Sequence, residues 1–117
     1  MGKTVEHYKL CVKKLLSEYE LSSPRWAKTE LLFDDSRMRY MVMRLGWHRE
    51  KRVHRCLVHI DIIDDTVVIQ ANNTEDLLKT ELISMGIPAD KIELGFIPAK
   101  AWTFAQPTEA APALEPA

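Results

Sequence analysis

Residues 37–70 read RMRYMVMRLGWHREKRVHRCLVHIDIIDDTVVIQ, and this stretch decides the fold. It holds three β-type runs joined by two short polar turns. Apolar and polar residues alternate at period two, which sends successive side chains to opposite faces of half-buried strands. The pattern predicts strands over 38–45, 52–63 and 66–70, with 46–51 as a connection and Asp64 and Asp65 as a two-residue turn. A weaker strand is expected at 29–33, ahead of a turn at Asp34, Asp35 and Ser36.

Helical patterns flank the meander. Val5, Tyr8, Val12, Leu15, Leu16 and Tyr19 recur at the spacing of one helix face, with Lys9, Lys13, Lys14 and Glu18 between them. That helix must stop before Ser22, Ser23 and Pro24, because proline disfavours helical backbone at the residue before it. Asn72, Asn73 and Thr74 offer N-cap side chains for a second helix, whose apolar stripe is Leu77, Leu78, Leu82, Ile83 and Met85. Gly86 is its natural stop, with Pro88 close behind. A short last strand is expected at 92–96. The fold class is therefore α+β: an antiparallel four-stranded meander with an N-terminal helix and a second helix on one face. Residues 1–105 form a single domain, and 106–117 read as a Pro/Ala-rich disordered tail.

Composition narrows the function classes. The chain has 117 residues, 16 basic and 17 acidic, for a formal charge of -1. Such a balance gives no overall pull toward nucleic acid or anionic membrane. The sequence starts without an apolar leader and holds no run long enough to span a membrane, so a cytoplasmic location is expected. Cys11 and Cys56 then read as buried free thiols in a reducing compartment. No catalytic motif is present and no cofactor is implied.

Assigning faces requires a register. If Trp47 lies opposite Arg52 and Ile63 opposite Thr66, cross-strand partners share a face. One face then collects Met41, Met43, Leu45, Trp47, Cys56, Val58, Ile60, Ile62, Val67 and Ile69, and this is the expected core. Trp47 reads as a core anchor. The other face carries Tyr40, Val42, Leu57 and Val68 as an apolar centre, with Arg44, Val53, Arg55, His59, Asp61 and Gln70 around it. Two helices can cover only one face. Tyr40, Val42, Leu57, His59, Val68 and Gln70 are therefore the expected partner-binding surface.

At these residues the chain resembles the XisI family, the fdxN element excision controlling factors of cyanobacteria. The resemblance runs over roughly 5–105. It is carried by His7 and Tyr8, Leu15 and Leu16, Arg37 and Tyr40, Gly46 and Trp47, and Arg52 and Val53. It continues through His59 to Ile62, Ile69 and Gln70, Thr74 and Glu75, Glu81 and Leu82, Gly86 to Pro88, Leu94 to Phe96, Pro98, and Thr103 to Ala105. The family's usual Trp-Ile-Gln stands here as Val68, Ile69 and Gln70. The resemblance implies a non-catalytic accessory role in excision of a DNA element by a site-specific recombinase. The implied partner is a XisH-like protein. A homo-oligomer, most simply a dimer, is also expected, with DNA contacted only indirectly.

Two other chemistries deserve weighing. His59 and Asp61 sit two apart on one strand face with Gln70 nearby, the arrangement of a base oriented by a carboxylate. A small hydrolytic enzyme could be built on that pair, but a polar cluster at an interface needs nothing more. Arg44, His48, Arg49, Lys51, Arg52, His54 and Arg55 crowd one hairpin. Arg49, Lys51, Arg52 and Arg55 are the nucleic-acid candidates of a direct DNA-binding regulator, since clustered cations bind phosphates. Glu50 interrupts the run, and the sequence shows no stacking platform beside it.

Overall fold

The computed structural model describes residues 2–98. Helix α1 spans Gly2–Leu21, and the strands are β1 Ala27–Asp34, β2 Arg39–His48, β3 Lys51–Ile63 and β4 Thr66–Asn72. Helix α2 (Leu78–Ser84), a 3-10 turn (Ala89–Lys91) and β5 (Ile92–Leu94) follow among the described residues. The sheet order is β1-β2-β3-β4-β5. The first four strands form the expected antiparallel meander, while β5 runs parallel to β4. A parallel neighbour cannot be reached by a tight turn, so α2 makes the crossover.

The helices seal one face of the sheet. Tyr8, Cys11, Val12, Leu15 and Leu16 from α1, and Leu78 and Leu82 from α2, are buried against Tyr40, Val42, Val58, Ile60, Val67 and Ile69. Both two-residue hairpin turns use left-handed backbone without glycine: φ is 53° and 70° at Arg49 and Glu50, and 49° and 65° at Asp64 and Asp65. Such backbone costs about 1–2 kcal/mol per residue, yet its twist matches the flanking strands. The Arg49–Glu50 turn is tighter than the predicted connection, so β2 and β3 extend to His48 and Lys51. Gly46 lets β1 close in: a Cβ there would strike the Trp26 carbonyl oxygen and come within 2.9 Å of the Ala27 Cα.

The second helix starts later than its polar leader suggests. Its N-cap is Leu77, with no side-chain cap. Asn72, Thr74 and Asp76 instead bond to one another: Thr74 N–H donates to Asn72 Oδ1 (3.0 Å) and Asp76 N–H to Thr74 Oγ1 (3.1 Å). Side chains of this kind compete with helical backbone bonding and hold a turn. Gly86, at φ 105°, ends the helix as expected.

Two β-bulges overturn part of the face assignment. The turn pairings hold: Trp47 faces Arg52 and Ile63 faces Thr66. Between them, Met43 pairs with Cys56 but Val42 pairs with Val58, which leaves Leu57 as an extra residue in β3. Likewise Ile60 pairs with Ile69 but His59 with Ala71, which leaves Gln70 extra in β4. One extra residue reverses every side chain beyond it. Tyr40, Val42 and Leu57 therefore lie in the core, not on the open face. As side chains sealed beneath the chain's own helices, they offer no partner-binding surface. Met41, Met43, Leu45, Trp47 and Cys56 move the other way, onto the face that no described helix covers. Val58, Ile60, Ile62, Val67 and Ile69 stay in the core, as expected.

Candidate functional site

The helix-free face is the candidate site. Its apolar centre comes from β1 and β2: Leu32 pairs with Met41, Glu30 with Met43, and Lys28 with Leu45. Leu32 is 50% exposed and Trp47 60%, while Met41, Met43 and Leu45 are half-buried among their sheet neighbours. Large exposed apolar side chains in one contiguous patch mark an interaction surface. Unbranched methionines at its middle can adapt to an opposing surface. Exposed Lys28, Arg39 and His54 and half-buried Glu30 form a polar rim.

Of the predicted partner-binding residues, His59, Val68 and Gln70 do lie on this face. His59 and Asp61 alternate along β3, and the bulge at Gln70 turns its side chain toward them. His59 Nε2 lies 2.9 Å from Asp61 Oδ1, and Gln70 Nε2 donates to Asp61 Oδ2 at 3.1 Å. Asp61 is only 8% exposed, so these bonds compensate its removal from water. Both carboxylate oxygens are occupied in holding neighbours, and no hydroxyl or thiol is hydrogen-bonded to His59 among the described residues. No group of three or more His, Cys, Asp or Glu able to hold a metal occurs among the described residues. The cluster stiffens one end of the face and gives it a polar, directional edge. Gly95 belongs to the same design: a Cβ there would come within 2.8 Å of Gln70 Oε1.

The cysteines divide between the two faces. Cys11 is buried under α1, as expected, and burial pushes its thiol up. Cys56 is half-buried on the open face, and burial also raises its thiol, with Sγ 3.3 Å from the Val58 carbonyl. Neither is an activated thiolate.

The hairpin candidates Arg49, Lys51, Arg52 and Arg55 are all exposed at the far end of the sheet. Arg44, by contrast, turns inward: Nε donates to Thr29 Oγ1 (3.3 Å) and Nη2 to the Tyr19 carbonyl (3.4 Å). The sequence reading of Trp47 as a core anchor is corrected: the bulge at Leu57 puts it outside, with the Arg52 guanidinium 5.7 Å from the ring centre. Trp26 stacks on His48 with ring centres 4.8 Å apart. Aromatic surface therefore does accompany the basic cluster. Trp102 and the tail at 106–117 lie outside the described residues. No described helix is long and apolar enough to cross a membrane.

Comparison with known proteins decides the family. The model of the XisI protein family matches residues 1–106. The chain belongs to the XisI family. A crystal structure of a XisI-like protein from Anabaena variabilis shares the architecture at a TM-score of 0.75 and 33% identity, covering 94% of this chain and 99% of that one. A second crystal structure, of fdxN element excision controlling factor XisI from Anabaena variabilis, matches at a TM-score of 0.68 and 24% identity. It covers 83% of this chain and 96% of the other. That second likeness speaks for the XisI fold alone. No curated protein matches the chain.

Proposed function

We propose that this XisI protein is a non-catalytic controlling factor for excision of a DNA element by site-specific recombination. It acts through protein–protein contact with a XisH-like partner. The observation that carries this reading is the helix-free apolar patch of Leu32, Met41, Met43 and Leu45. A monomer gains nothing from leaving such a patch in water, whereas a protein partner recovers the burial energy. Family membership supplies the context of DNA excision. In the partner's absence, a second copy of the chain occupies the same face.

Co-expression with a XisH-like protein and affinity capture tests the proposal. The two proteins should co-purify, and Met43→Glu should release the partner while keeping the wild-type circular dichroism spectrum. Capture that survives Met43→Glu undiminished, or two proteins that never associate, would reject it.

A further inference from the structure

The β2–β3 hairpin outruns the rest of the sheet. On β2 the pairing with β1 ends at Gly46. On β3 the pairing with β4 ends at Val58, and Asn73 closes the edge by donating to the Leu57 and Cys56 carbonyls at 2.8 and 2.9 Å. Lys51 to Arg55 therefore form a free strand edge about 15 Å long at roughly 3.3 Å per residue. Arg49, Lys51, Arg52 and Arg55 are exposed along it, and none is ion-paired among the described residues. Lys9, Lys13, Lys28 and Arg37 each hold a carboxylate.

Charge on a free edge can serve simply to stop strands from pairing. An exposed tryptophan works against that purpose. Trp47 nevertheless stands 60% exposed one pair from the Arg49–Glu50 turn, on the face of Arg52, and Trp26 is 37% exposed on the other face of the ribbon, stacked on His48. Cations together with open aromatic faces fit a ligand that is both anionic and flat-ringed. Nucleic acid has both properties, and an acidic polypeptide has only the first. Bases inside a duplex are already stacked on each other, so side-chain rings engage unpaired ones.

We propose that the tip of the β2–β3 hairpin binds single-stranded nucleic acid across its free edge, with a base against Trp47 and phosphates against Arg49 and Arg52 and, on the other side of the edge, Lys51 and Arg55. This surface adjoins the apolar patch but does not depend on the protein partner. The partner holds the β1–β2 centre of the face, and the strand lies at its hairpin end.

Fluorescence anisotropy with a labelled oligodeoxythymidine tests it in the full chain. Binding should weaken steeply with salt. Arg49→Gln and Arg55→Gln should each lower the log–log salt slope by about 0.7. Trp47→Ala should weaken binding about tenfold with the salt slope unchanged. Met43→Glu should bind like wild type, which separates failure here from failure of the protein-partner reading. The proposal is overturned by absence of binding at low salt, by a Trp47→Ala affinity equal to wild type, or by tighter binding of a duplex or of polyglutamate.

Discussion

The two faces of this sheet come from the same strands and carry opposite chemistry. On the helix side, Tyr40, Val42, Ile60 and Ile69 have no exposed surface at all. On the other side, Leu32 and Trp47 are at least half exposed, and His59, Asp61 and Gln70 spend their hydrogen bonds on one another. Alternation alone would give two faces, but it does not decide which residues of β2 share a face with which residues of β3. That allocation depends on Leu57. The extra residue pairs the apolar halves of both strands on the helix side and leaves the methionines outside.

The most severe way to break the comparison is to place a charge in the sealed layer. Ile60→Asp would put an uncompensated carboxylate where no surface is exposed. The chain should lose most of its folding free energy, about 5–15 kcal/mol for a domain of this kind. A cooperative thermal transition unchanged from wild type in that variant would show that this face is not sealed. Next in size is a matched pair of truncations. Leu16→Ala, in the sealed layer, should cost about 2–5 kcal/mol. Met43→Ala, on the open face, should stay within about 1 kcal/mol of wild type. Urea midpoints measure both, and equal losses would mean that the two faces are equally packed.

A smaller effect sharpens the sealed side at its rim. Asp35 accepts from Lys13 Nζ and from Tyr40 Oη, both at 2.8 Å, and these partners hold its carboxyl below the usual value. A lowered folded-state pKa stabilises above the unfolded value of 3.8 and loses that contribution as pH falls through the folded one. Asp35→Asn should therefore cost under about 1 kcal/mol at neutral pH, because the pair is exposed. The difference from wild type should vanish in strong acid. A gap that grows with acidity would contradict the assignment.

Much of this architecture was legible in the sequence, and for identifiable reasons. Both hairpin pairings follow from the polar residues at the turns. The helices follow from apolar spacing at Tyr8, Val12 and Leu16 and at Leu78 and Leu82, and Gly86 ends the second one. The existence of one uncovered face follows from two helices against a broad sheet. The bulges at Leu57 and Gln70 leave no compositional trace, because an added strand residue resembles its neighbours. That single omission moved Tyr40 and Val42 to the wrong face and put Trp47 indoors. His59, Asp61, Val68 and Gln70 share the open face as the alternation predicts, because all four lie on the Asp64–Asp65 side of the bulge at Leu57.

Hydroxyl-radical footprinting of the chain, free and with a XisH-like protein, puts the contrast between the faces to the most direct test. Leu32, Met41, Met43 and Leu45 should lose reactivity in the mixture, while Leu10, Leu21 and Ile83, exposed on the helical layer, keep theirs. Protection of Leu10, Leu21 and Ile83 with the methionines still reactive would show that the working surface lies on the opposite side of the molecule.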